Sequence, residues 1–315
     1  MVLAVLAVLA IPSLPFTSGD VFFWTEILIA ILFATAANLL VGYTGLVSFG
    51  QASFLGAGAY TVGMLVSKGG FESMTFTLIA AVVVGGLMAL VMGALIVRTT
   101  GLAFAVLTLA FLELLRTMAF KERTFGGENG LSGVVRTGIG PIDLVSLDRY
   151  YYCVAVLAMV AMAMMWVVVS SPFGLTLRAI RDDAERVDFL GVPVRLYKLG
   201  VFVMAGAVSG LAGALDAYLN LFVSSETLSL TRSAEPVLMS ILGGTSFFFG
   251  PAVGALTYEW LQDLLQARTA SWVLWIGLGL IAIIVALRRG IVGLLAQAWA
   301  LSRRRDPAGR TEGKE

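Results

Sequence analysis

The stretch LIAAVVVGGLMALVMGALIV, residues 78–97, runs for twenty residues without a charge or an amide. At ~1.5 Å of rise per residue, a helix of that length covers ~30 Å, the thickness of a bilayer's hydrocarbon core. Apolar residues follow one another without the alternation that a barrel strand keeps over about ten positions. In hydrocarbon every backbone N–H and C=O needs an internal partner, so the stretch reads as a membrane-spanning helix.

The same signature repeats along the chain, which is 59% hydrophobic and only 13% charged over 315 residues. A soluble domain carries roughly 25% charge. Apolar runs predict helices over 2–16, 21–41, 52–67, 74–97, 101–119, 149–169, 199–221, 234–247, 251–265 and 271–287. These make about ten crossings, several too short to span alone. The expected fold is an all-α integral membrane protein, a polytopic bundle of about 8 to 10 transmembrane helices, some broken or re-entrant. Residues 1–290 read as one transmembrane domain with a cytoplasmic coupling loop at 170–198, and 291–315 as a cytoplasmic C-terminal tail, polar after Ser302. The apolar start lacks basic residues at its front and reads as a short first span rather than a signal peptide.

Composition also excludes chemistry. There is no His and a single Cys, Cys153, so neither a disulfide within the chain nor a His/Cys metal cluster is expected. No G-x-x-x-x-G-K-[ST] phosphate cradle occurs, so ATP is not expected to bind here, and no cofactor is called for.

Cytoplasmic loops carry the excess of Lys and Arg near helix ends. Arg178, Arg181, Arg186, Arg195 and Lys198 mark one such loop; Arg288, Arg289, Arg303, Arg304 and Arg305 mark the tail. Counting helices from these anchors places both termini in the cytoplasm and the 120–148 loop outside. That outer loop nonetheless holds Lys121, Arg123 and Arg136, against Glu122, Glu128, Asp143 and Asp148.

Two glycine-rich stretches interrupt the helical pattern at membrane depth: VGYTGLVSFGQASFLGAGAY from Val41 and LGGTSFFFGPAVGAL from Leu242. Interrupted helices in two halves of a transporter point to its substrate path, because freed backbone groups there line a polar cavity. The candidates for that lining are Asn38, Thr44, Gly45, Ser48, Gln51, Ser53, Glu235, Gly243 and Gly244. Close helix packing through small residues accounts for the glycines equally well. Glu113 and Arg116, three apart, are expected to pair. Glu26, Asp216, Glu259 and Asp263 sit where they can snorkel to an interface or cap a helix end.

The stretch SPFGLTLRAIRDDAERVDFLGVPVRLYKLG, residues 171–200, predicts a helix over 175–190 stopped by Gly191 and Pro193. Leu177, Ile180, Ala184 and Val187 share one face and charges occupy the other, as in a helix lying on a membrane surface. Three readings remain open on these residues: a lever that presses on a partner, a solvated connector, and a metal-holding Asp182–Asp183 pair of a membrane transferase.

Four motifs taken together narrow the choice. NLLVGYTGLVSFGQASFLGAGAY, FGGENGLSG, the 171–200 stretch and GLAGAL, in this order, resemble the LivM-type permeases of branched-chain amino acid ABC transporters. The resemblance extends from about Leu39 to Leu265 and lifts the lever reading above the others. It implies an importer in the bacterial cytoplasmic membrane. The expected companions are a second, LivH-type permease subunit, two cytoplasmic ATPase subunits and a periplasmic or otherwise extracytoplasmic amino-acid-binding protein; nucleic acid is not among them. It also implies that the loop carrying Arg178, Arg181, Asp182, Glu185, Arg186, Leu190 and Gly191 docks into an ATPase groove. The loop departs from the importer pattern E-A-A-x-x-x-G, with Arg186 and Val187 in place of the two alanines, and Pro236 stands where an aliphatic residue is expected. A related permease for urea or another small polar solute, and an ion-coupled secondary transporter, are the alternatives.

Overall fold

The computed structural model describes residues 21–71, 73–138, 143–268, 271–286 and 290–293. The helix expected at 2–16 lies outside them, as do nearly all of the tail and its arginines. Eleven α-helices form among the described residues: α1 Val21–Thr44, α2 Gln51–Ser67, α3 Met74–Ile96, α4 Gly101–Lys121, α5 Leu147–Ser170, α6 Pro172–Asp182, α7 Ala184–Phe189, α8 Val194–Asn220, α9 Leu230–Gly243, α10 Gly250–Gln266 and α11 Trp272–Ala286. Five of them, α1, α3, α4, α5 and α8, are long and apolar enough to cross a membrane. The protein is an all-α polytopic membrane protein, as its sequence leads one to expect.

Helix α1 is buried almost all round and α8 over most of its surface, whereas α3, α4 and α5 leave most of theirs exposed. The first two form the axis of the bundle. The exposed faces of the others carry Ile79, Val83, Leu87, Val106, Leu114, Val160 and Met164, side chains suited to lipid or to a second subunit.

Small residues decide how closely the axis packs. A Cβ at Gly58 of α2 would sit 2.0 Å from the Gly210 carbonyl oxygen, and one at Gly213 would sit 1.8 Å from that of Leu55. Gly85 of α3 meets Gly206 in the same way at 2.6 Å. The GLAGAL motif, residues 210–215, is therefore a backbone-to-backbone seam joining α8 to α2 and α3. Around it Phe54, Phe104 and Phe202 stack edge to face, all fully buried.

The loop after α4 is built by its glycines. In FGGENGLSG, Gly126, Gly127, Gly130 and Gly133 all take positive φ, between 57° and 90°. That conformation is open to glycine and strained for other residues. The turns deliver β1, Leu131–Ser132, to pair antiparallel with β2, Phe222–Val223, in the register Leu131↔Val223.

Arg136, which sat awkwardly with the charge rule, has a structural task in this loop. Its Nε donates to the Tyr218 carbonyl at 2.8 Å and its Nη2 to that of Leu219 at 3.0 Å, while the guanidinium lies 5.0 Å from the centre of the Tyr150 ring. The last carbonyls of a helix lack helical donors, and a cation there also meets the negative end of the macrodipole. Arg136 caps α8, with Leu221 beyond it in the left-handed region at φ 56°.

The single helix expected over 175–190 is two. At Asp183 the backbone is extended, φ −160° and ψ 95°, which ends α6, and its carboxylate accepts the Arg186 N–H at 3.0 Å as the N-cap of α7. Aspartate at that position satisfies one of the four orphan donors of a new helix, and this competes with continuation of the old one. The apolar stripe survives the break: Ile180, Val187 and Val194 are buried together, with Ala184, Val192 and Tyr197 packed on them. Pro236 lies inside α9, which starts earlier, at the Ser229 cap. Lacking an N–H, it deprives the Arg232 carbonyl of its helical donor.

Candidate functional site

Helix α6 lies against the C-terminal end of α1 and is held there by two arginines. Arg178 stacks on Tyr43, 5.1 Å from the ring centre. Arg181 Nη1 donates to the Gly42 carbonyl at 2.6 Å. That carbonyl is free because the chain turns at Gly45, φ 69°, and the Leu46 N–H closes back on Leu40 at 3.0 Å instead. A guanidinium thus stands in for the missing helical donor, at the end where the macrodipole favours a cation. Thr44 spends its hydroxyl on the Leu40 carbonyl at 2.7 Å.

The other face of the α6–α7 unit points away from the bundle. Asp182, Glu185 and Arg186 are exposed, and Phe189 and Leu190 are 91% and 78% exposed at the tip, just before Gly191 at φ 82°. Two adjacent large apolar residues so bare are a small contact surface waiting for a partner.

Gly42 is also where the two interrupted stretches meet. A Cβ there would sit 2.4 Å from Asn38 Oδ1 and 2.4 Å from the Thr245 carbonyl oxygen, so the 244–249 break lies directly on the end of α1. Gly243 packs so closely that its Cβ would be 1.7 Å from the Gly250 oxygen, and Gly244 takes φ 111°. At the first break, residues 45–50, the freed backbone groups find partners on two other helices. Thr108 of α4 accepts the Phe49 N–H at 3.2 Å; Ser233 of α9 donates to the Phe49 carbonyl at 2.7 Å and accepts the Ala52 N–H at 3.2 Å. Ser48 accepts the Gly50 N–H at 3.2 Å, and Ser209, roughly midway along α8, donates to Gln51 Oε1 at 3.2 Å. Helix α2 therefore begins inside the bundle rather than at its surface.

Asn38 Oδ1, Gln51 Nε2, Ser53 Oγ and Tyr60 OH are buried without a hydrogen-bond partner among the described residues. Such atoms cost on the order of 1–3 kcal/mol each unless water or solute meets them. Of the residues singled out in the sequence, these polar ones line neither of the two cavities described next.

At the opposite end from α6, α8, α9 and the 222–229 segment enclose an open cavity of about 660 Å³ lined by Arg116, Asp216, Asn220, Glu226, Arg232 and Glu235 among others. Arg232, which sequence reasoning passed over, organises its floor: Nη2 lies 3.2 Å from Asp216 Oδ1 and Nη1 3.0 Å from Glu235 Oε2. The i, i+3 spacing of Arg232 and Glu235 was the available signal; Asp216, on another helix, carried none. The Glu113–Arg116 pair forms, but at 3.7 Å with both side chains over 40% exposed, where it adds little.

Comparison with known proteins bears on this arrangement. The family described as the permease component of branched-chain amino acid transport systems matches residues 21–294. The high-affinity branched-chain amino acid transport system permease protein LivM of Escherichia coli is 28% identical over 84% of this chain and 68% of its own length. That of Salmonella typhimurium is 26% identical over 79% of this chain and 64% of its own. The autoinducer 2 import system permease protein LsrC of Yersinia pseudotuberculosis is 28% identical over 78% of this chain and 69% of its own length. The chain thus spans about two thirds of these relatives. No solved structure matches it.

Proposed function

Because the chain belongs to the family of branched-chain amino acid transport permease components, we propose that it is the membrane path of an ATP-driven importer for branched-chain amino acids, worked through the Arg181–Gly42 contact. As a member of this family it is an ABC-type transport subunit rather than an enzyme in its own right. The finer reading adds a LivH-type sister permease, two ATPase subunits on the cytoplasmic side and an extracytoplasmic amino-acid-binding protein, in a bacterial cytoplasmic membrane with both termini inside.

One observation supports the mechanical part. A motion imposed on Phe189 and Leu190 by an ATPase groove moves α6, and α6 is tied by Arg181 to the carbonyl where α1 breaks. The same point touches Thr245 of the second break. From there the 45–50 segment runs to Ser233, two residues from Glu235 on the floor of the outer cavity. Through such a chain of packed contacts, small shifts at one end become opening at the other if the contacts have a second arrangement. Buried interrupted helices suit a zwitterionic solute with an aliphatic side chain, since helix termini and hydroxyls screen its charges without trapping it.

Proteoliposomes holding this chain with its companion subunits decide the substrate. Leucine accumulation that requires both ATP and the binding protein is the expected result. Uptake driven by an ion gradient without any ATPase would contradict it. A second solute class is favoured by one observation, the LsrC relatives of the autoinducer 2 system. Saturable uptake of a polar non-amino-acid solute, with leucine inert, would select that reading.

A further inference from the structure

Behind the floor of the outer cavity lies a second, smaller and more enclosed pocket of about 20 Å³, lined by Glu26, Asp216, Arg232, Glu235 and Glu259 together with apolar residues including Phe33 and Met239. Asp216, Arg232 and Glu235 line both spaces, so the ion-paired triad is the partition between them. Helices α1, α8, α9 and α10 each contribute one carboxylate, and they face one guanidinium. With all of them ionised the cluster carries three more negative charges than positive, which a buried site holds only if protons neutralise some of the carboxylates or something cationic joins it. Glu259 is the telling member: 4% exposed, lining the pocket, and without a hydrogen bond or ion pair to any described residue. Arg232 is already committed to Asp216 and Glu235.

We propose that this pocket is a receptor for an ammonium head group, entered from the outer cavity when Arg232 swings off Asp216 and Glu235. The size fits, since a volume of 10–15 Å³ or more admits one water-sized group, and an –NH₃⁺ head is of that size while its three donors match several carboxylates. Phe33 and Met239 form the apolar part of the same wall and keep the space to a single small head group. The source of the ammonium as the amino group of the transported solute rests on the proposed function; the receptor itself does not.

The full-length chain, purified in mild detergent with the subunits that accompany it, is heated with methylammonium, with sodium, with potassium, or with isobutyrate, all at equal ionic strength. Ligand in tenfold excess over its Kd raises the transition by a few degrees through mass action. The expected result is a rise with methylammonium alone, lost in Glu259→Gln and halved or more in Glu26→Gln, and kept in Trp260→Phe, a neighbouring substitution at an exposed position. Because the wild-type protein answers first, a variant that fails to fold does not stall the test. No rise with methylammonium overturns the proposal, as does an equal rise with sodium or potassium, which would assign the pocket to inorganic cations. Leucine uptake separates the two claims: uptake without the methylammonium response removes the receptor and leaves the importer, and the response without leucine uptake does the reverse.

Discussion

Gly42 leaves no room for a side chain, because two oxygens from different parts of the fold converge on the place a Cβ would take. Gly42→Ala is expected to cost about 1–3 kcal/mol, as overpacking does, and to lower the thermal transition of the purified protein by several degrees. Gly86→Ala is the contrast: its Cβ would meet Ala207 at an ordinary 3.5 Å, and alanine gains up to ~1 kcal/mol of helix propensity over glycine. It should be neutral or stabilising, and equal losses for both would refute the packing account. Arg232→Ala strands Asp216 and Glu235, at a cost of about 3–5 kcal/mol, visible as a lower transition that Arg232→Lys partly restores. At this scale the sequence was readable where neighbours are local. The break at Gly45 could be seen, and the Arg232–Glu235 spacing was there to read though passed over, whereas the meetings of Gly42 with Thr245 and of Arg232 with Asp216 join distant segments and leave no trace in spacing.

Among the elements, the α6–α7 unit shows how a periodic pattern can be right about a face and wrong about continuity. Leu177, Ile180 and Val187 fall on the buried side as the pattern requires. Nothing in it marks Asp183, rather than Asp182, as the residue that stops one helix and caps the next; capping is decided by the local backbone, which a hydrophobic period does not report. The unit's exposed tip makes a separate prediction. Phe189→Ser with Leu190→Ser removes apolar surface that no described residue buries, so the thermal transition should hold steady while ATPase subunits no longer co-purify. Retained co-purification would place the docking surface elsewhere. The glycine-rich breaks were legible as breaks, with path lining and close packing both open: whether small residues line a path or press two backbones together depends on what faces them.

For the whole molecule, composition and the unbroken apolar pattern carried the fold class, because an apolar chain satisfies its backbone in lipid by helices or a closed barrel and the missing alternation excludes the barrel. The arrangement of those helices needed the structure. Helix α1, apolar on every side, becomes the buried axis, while the equally apolar α3 to α5 remain at the periphery, a distinction that hydropathy cannot draw. Arg136, which blurred the charge rule, is tied up in capping α8. What emerges is a line of contact from Phe189 through Arg181, Gly42 and Ser233 to the charged floor of the cavity at the far end of the bundle from α6. Its decisive link is the guanidinium on the Gly42 carbonyl, worth about 1.5–3 kcal/mol as a charge-assisted hydrogen bond, or roughly 10- to 100-fold in an equilibrium. The direct test is the number of ATP molecules hydrolysed per leucine imported by the reconstituted transporter carrying Arg181→Ala, with the exposed Arg195→Ala as control. Hydrolysis within about twofold of wild type and uptake down at least about tenfold, for Arg181→Ala alone, is the outcome expected from losing such a bond; an unchanged ratio would contradict it.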